Sequence, residues 1–136
     1  MGLEIKKVVT NFLRYNNKIL ILKRSSKVGT YQGKWAGISG YIEEDDLHPK
    51  MRAKMEIFEE TKLEEKDIKL IKEGMPLEII DNEKKILWIV HPFLWDVSTD
   101  KINIDWEHKT CKWIAPDKLE NYETVPRLND TLKRVL

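Results

Sequence analysis

The chain has 136 residues, with 24 Lys and Arg against 23 Asp and Glu, a net charge of +1. A length of this order predicts one domain able to bury about two-thirds of its unfolded surface. The charge balance leaves no net field to recruit nucleic acid or an anionic membrane. The single cysteine, Cys111, rules out an internal disulfide and fits a reducing compartment. No apolar run approaches the length of about 18 residues that a membrane span needs, and the N-terminus lacks a signal-peptide core. The expectation is a soluble cytoplasmic protein, without repeats or low-complexity linkers.

Leu3 to Tyr15 carries Val8, Val9, Phe12 and Leu13 and reads as a strand. Asn16-Asn17 then separates it from Lys18-Ile-Leu-Ile-Leu-Lys-Arg24. Two residues tolerant of positive φ between apolar strands predict a tight hairpin. The unbroken run Ile19 to Leu22 suits a strand covered on both faces. Ser25 to Lys34, with Gly29 and Gly33, reads as a loop. Trp35 reads as a core anchor or a stacking platform for a ring, and Lys34 as a point charge able to meet phosphate.

Next comes Gly40 to Leu63, GYIEEDDLHPKMRAKMEIFEETKL. Pro49 suits a first helical position, so a helix is expected from Pro49 to about Lys62. Met51, Ala53, Ile57 and Phe58 would supply its apolar side, with Met51 and Met55 in the core. On that helix Glu56, Glu59 and Glu60 fall at i, i+3 and i+4, stacked on one face. Three like charges so placed repel each other, and a hard cation with oxygen ligands, Mg²⁺ above all, reverses the sign. A solvated acidic face is the plainer reading of the helix alone.

Gly40, five residues, Asp46, then a helix bearing Glu-Ile-Phe-Glu-Glu-Thr-Lys-Leu resembles the Nudix box. The family's pattern is Gly, five residues, Glu, seven residues, Arg-Glu-apolar-any-Glu-Glu-any-Gly-apolar. Its enzymes hydrolyse the pyrophosphate of a nucleoside diphosphate linked to another group, with divalent metal. The chain departs from the pattern in four places. One extra residue lies between Asp46 and Met55, assigned to the loop at Leu47-His48. Met55 stands where the family has the Arg that holds the loop and orients the first glutamate, and Arg52, four residues before Glu56, is a partial replacement. Asp45 replaces a loop glycine, and Lys62 replaces the glycine near the helix end.

Downstream, Ile68 to Leu70, Leu77 to Ile80 and Ile86 to Val97 read as strands, the last two joined by a turn at Asp81-Asn82-Glu83. Pro92 inside the long strand points to an edge, a bulge or a break. His91 beside it reads as structural. Ser98 to Lys109 reads as a polar loop, Cys111 to Ile114 as a short strand, and Pro116 to Glu120 as the start of a small helix. Arg127 to Leu136 is expected to be a closing amphipathic helix with Leu128, Leu132 and Val135 inward.

Composition and periodicity alone indicate an α/β or α+β domain rich in strand. The resemblance implies the α/β/α sandwich of the Nudix fold, with a mixed central sheet. It implies Mg²⁺, or Mn²⁺ in its place, held by Glu56, Glu59, Glu60 and the Gly40 carbonyl. Glu56, Glu59 and the loop residue Glu107 are the candidate catalytic carboxylates, with Asp105 and His108 as lesser loop candidates. Arg24, Lys34 and Trp35 are the candidate substrate contacts. A small-molecule nucleotide is the expected partner, a nucleoside triphosphate first and ADP-ribose next, and a homodimer is left open. Pro76 falls earlier than the ADP-ribose pattern expects, and Ile80 stands where the tyrosine of dinucleoside polyphosphate enzymes would be sought. The alternative is a catalytically weak or inactive Nudix-fold module that binds a nucleotide or regulates. An isomerase of prenyl diphosphates would need a cysteine elsewhere than at Cys111.

Overall fold

The structure, a computed structural model, describes residues 2–104 and 108–136, and only the backbone at His108 and Lys109. Strand β1, Glu4–Tyr15, turns into β2, Lys18–Arg24, through Asn16 and Asn17 at φ 50° and 63°. Both residues occupy left-handed backbone, which is what a two-residue turn matched to strand twist requires. The alternation of β2 then divides the molecule. Leu20 and Leu22 enter one apolar cluster, with Val9, Leu13, Phe93 and Trp95, while Ile19 and Ile21 enter a second, with Phe12 and Leu94. Helix α1, Pro49–Thr61, closes the first cluster through Ala53 and Ile57. Helix α2, Leu128–Lys133, closes the second through Leu128 and Leu132. A mixed sheet between helices is the result, as the resemblance implied.

β1 and β2 pair at Arg14–Ile19 and Tyr15–Lys18. Farther along, β2 takes β3, Trp35–Ala36, as its neighbour, and β1 takes β4, Ile38–Tyr41. Gly37 joins these two short strands, and a Cβ there would stand 2.7 Å from the Asn11 carbonyl oxygen. Only glycine permits so close an approach. Asn11, fully buried, locks the arrangement. Its Nδ2 donates to the Ile38 and Ala53 carbonyls, both at 3.2 Å, and its Oδ1 accepts from Trp95 Nε1 at 2.8 Å. One side chain thus ties β4 and α1 to the sheet, and losing it would strand buried polar groups at about 1–3 kcal/mol each.

The long strand β7, Ile86–Val97, is central, which corrects the edge reading of Pro92. It runs parallel to β1 on one side, with Thr10 opposite Pro92. On the other side it pairs first with β6, Leu77–Asp81, ending at Leu77–Val90, and then with β5, Ile68–Glu73, starting at Glu73–Phe93. Pro92 falls where one partner gives way to the other, so its missing N–H removes no antiparallel rung. β8, His108–Ile114, extends farther back than the expected Cys111 start and pairs with β2.

Two helix expectations need correction. Phe58 and Met55 are 48% and 41% exposed; the inward stripe of α1 is Ala53, Ile57, Glu60 and Thr61. Those positions repeat at helical spacing, and the other two lie off the stripe. The closing helix is only six residues long. Arg127 is left-handed at φ 56°, and the last turn tightens, with the Arg134 and Val135 N–H groups bonding back to Thr131 and Leu132. Leu128, Leu132 and Val135 still point inward. No helix among the described residues is long and apolar enough to cross a membrane.

Candidate active site

Helix α1 starts at Pro49, and His48 caps it by accepting the Met51 N–H on Nδ1 at 3.2 Å. Leu47, where the extra residue was assigned, is 84% exposed, so it projects from the loop into solvent. Arg52 reaches back from the first turn. Its Nε and Nη2 donate to the two Asp46 oxygens at 2.8 and 3.1 Å, and its Nη1 donates to Glu56 Oε2 at 3.3 Å. Asp46 also accepts the Glu43 N–H at 2.8 Å. Arg52, then the Glu43 N–H, hold the Asp46 carboxyl below the usual carboxylate range, and Asp46 with Glu56 raises the Arg52 pKa. One guanidinium therefore folds the loop onto the helix and aims Glu56, the two tasks that Met55 cannot perform.

Gly40 faces Glu56 from β4. A Cβ on Gly40 would stand 2.1 Å from Glu56 Cδ, so the carboxylate fills the space that any other residue would take. Gly40, Glu43, Glu56 and Glu59 form the acidic wall of a cavity of about 470 Å³. Arg24 at the end of β2 and Thr30 and Tyr31 in the loop that follows also line it, and Val8, Ile79, Trp88 and Val90 give it an apolar floor. The Tyr31 hydroxyl donates to Asp81 Oδ2 at 2.6 Å and accepts from Trp88 Nε1 at 2.9 Å. Burial, then the bond to Asp81, pushes its pKa up to about 12.

A glycine set against a glutamate on a helix of i, i+3, i+4 carboxylates invites comparison with known proteins. The NUDIX domain model matches residues 5–135. The chain belongs to that family. Nudix solved structures superpose over nearly the whole chain. The MutT protein of Methanosarcina mazei Go1 is 24% identical, with a TM-score of 0.78, covering 99% of this chain and 95% of the other. A MutT NUDIX hydrolase from Burkholderia pseudomallei is 22% identical at TM-score 0.74, covering 98% and 99%. An Ap4A hydrolase of C. elegans is 15% identical at TM-score 0.74, covering 95% and 93%. No curated protein matches in sequence. At these identities the structures speak for the fold, and the family model assigns the chain to the Nudix pyrophosphohydrolases, which act on nucleoside diphosphate-linked compounds.

Against that Nudix frame, the structure brings Gly40, Glu56, Glu59 and Arg24 to one cavity and leaves three candidates outside its lining. Glu60 is only 3% exposed and acts on the Cys111 thiol, whose pKa burial and then the Glu60 charge push up. Lys34 lies in an adjoining cleft that Arg24 also lines, and it pairs with Glu123 at 3.4 Å. Trp35 is buried edge-on against Tyr122, with ring centroids 5.4 Å apart, so it packs beneath the sheet end. Glu107 and Asp105 lie outside the described residues, as does the side chain of His108. Sequence reasoning passed over Asn11, Tyr31, Asp81 and Trp88. A lone Asn within an apolar strand was the one signal for the first; Asp81 was marked only as a turn residue, and nothing local marked Tyr31 or Trp88.

Nudix hydrolases generally need a divalent metal. Among the described residues no three His, Cys, Asp or Glu side chains are grouped closely enough to hold one. The donors that do line the cavity, the carboxylates of Glu43, Glu56 and Glu59 and the Gly40 backbone, are the hard oxygens that Mg²⁺ takes. The close approach of Glu56 to Gly40, which a Cβ would forbid, suits a carbonyl and a carboxylate that share an ion. In kind, the residues fit the metal.

Proposed function

We propose that the chain, as one Nudix domain, hydrolyses the pyrophosphate of a nucleoside diphosphate-linked compound with Mg²⁺, a nucleoside triphosphate first and ADP-ribose next. The observation that carries this reading is the Arg52 clamp, which fixes Glu56 opposite Gly40 in a cavity of nucleotide size. A pyrophosphate resists attack because its oxygens repel the nucleophile. Gly40, Glu56 and Glu59, which line the cavity, with Glu60 buried behind that lining, would hold the cation, which when bound offsets that charge. Arg24 adds positive charge from the opposite wall, and Lys34 extends it into the adjoining cleft. Glu56, Glu59 and Glu107 are the candidate acceptors for the proton of the attacking water. Arg52 holds the Glu56 carboxylate in place through its Nη1, so little reorganisation is left for the reaction itself. Val8, Ile79, Trp88 and Val90 would exclude water from the nucleoside side.

Phosphate release from nucleoside triphosphates, ADP-ribose and dinucleoside polyphosphates, with Mg²⁺ or Mn²⁺ and product identification, tests the reading. Metal-dependent turnover of at least one compound is expected, and the products name the bond cut. Tight nucleotide binding with no turnover would instead favour the binding or regulatory module.

A further inference from the structure

Tyr31 sits where a tyrosine is rarely found, in left-handed backbone at φ 50°. It belongs to the loop between β2 and β3, and its hydroxyl crosses to the far hairpin, donating to Asp81 at the end of β6 and accepting from Trp88 on β7. Asp81 is itself fixed, because its other oxygen accepts the Lys84 N–H at 3.0 Å. The neighbouring residue ties the loop the opposite way: Arg24 Nε donates to the Thr30 carbonyl at 2.9 Å. Adjacent residues of one loop thus hold two distant groups of the cavity, the guanidinium proposed to meet phosphate and the indole in the apolar floor. Lys84 Nζ covers the Tyr31 ring at 5.3 Å.

We propose that Tyr31 is a positioning residue for substrate binding: by bonding Asp81 and Trp88 it sets the span between Arg24 and the apolar floor that a nucleoside diphosphate must bridge. The inference rests on the hydrolase reading above. It requires that the link act on the unreacted substrate and the transition state alike, because it shapes the container and touches no reacting atom. Uniform binding of that kind appears in KM and leaves kcat alone. A link that serves folding only would change melting temperature and neither constant.

Tyr31→Phe keeps the ring and removes the hydroxyl. With the best substrate of the panel, KM should rise about tenfold while kcat stays within about twofold. Asp81→Asn should raise KM less, and the double variant should be no worse than Tyr31→Phe, since both break one link. Trypsin cleavage after the exposed Lys27 in the same loop should also speed up several-fold. Unchanged KM overturns the proposal, as does a kcat loss as large as the KM rise. If the wild type cleaves nothing, the hydrolase reading is what fails. Calorimetric binding of a non-hydrolysable imido nucleotide with Mg²⁺ then decides: about tenfold weaker binding by Tyr31→Phe upholds the positioning role. Equal affinity, or no binding by either protein, overturns it.

Discussion

The acidic wall of the cavity is made from residues close in sequence, and the aromatic wall from residues far apart. Asp46, Arg52 and Glu56 meet across separations of six and four residues. Tyr31 meets Asp81 and Trp88 across 50 and 57. The first wall needs little more than a helix and its preceding loop, so helical spacing prescribes it. The second exists only once loop, sheet and hairpin share one register. Local construction also explains how the box tolerates an extra loop residue and a displaced arginine: Leu47 protrudes, and Arg52 supplies from one turn earlier what position 55 lacks.

The sharpest way to break this contrast is at Gly40, the member of the acidic wall that a strand supplies. A Cβ there must displace the end of the Glu56 side chain, which can swing away without disturbing backbone. Gly40→Ala should therefore lower kcat by about a hundredfold, the penalty of a misplaced reacting group, and shift the melting temperature by only a few degrees. Steady-state kinetics beside a thermal melt checks both halves. Full activity would mean that the Gly40–Glu56 approach is incidental.

Arg52→Met removes the local clamp and should cost somewhat less, about tenfold or more in kcat/KM, because Glu56 stays on its helix face. The same pair has a pH signature. Asp46 is ionised more readily in the folded chain, so its stabilising effect is present above the unfolded value of about 4 and is lost as pH falls through the lower folded value. Melting temperature should consequently fall more steeply below about pH 4 in the wild type than in Asp46→Asn. Parallel curves would show that the ion pair adds nothing to folding.

Much of the local half was legible beforehand. Asn16-Asn17 declared a hairpin, the apolar run Ile19–Leu22 declared a strand buried on both faces, and Pro49 declared the helix start. The glutamate spacing pointed to a box whose family model then matched residues 5–135. What stayed hidden depends on tertiary partners. Pro92 leaves an edge, a bulge or a break open until β5 and β6 are seen to exchange places beside it. Phe58 reads as core until the burial of Glu60 and Thr61 sets the true inward stripe of α1. The role of Asn11 shows only once its three partners from separate elements are in view.

The smallest expected effect lies at the C-terminal end of α1, where Lys62 takes the left-handed position at φ 65° and donates its N–H to the Phe58 carbonyl at 2.8 Å. The resemblance puts glycine there, and glycine adopts that backbone freely. Lys62→Gly relieves strain of about 1–2 kcal/mol but gives up about 0.4–1 kcal/mol through a looser unfolded chain. It also forfeits the Lys62 Nζ contact over the exposed Phe58 ring at 5.6 Å, worth about 0.5 kcal/mol. The terms nearly cancel, leaving a gain below about 1 kcal/mol and a melting temperature higher by a few degrees at most. Because the change is confined to the local wall and points away from the cavity, KM and kcat should both stay put. A KM that moves with Lys62→Gly would mean that the two walls are coupled through α1.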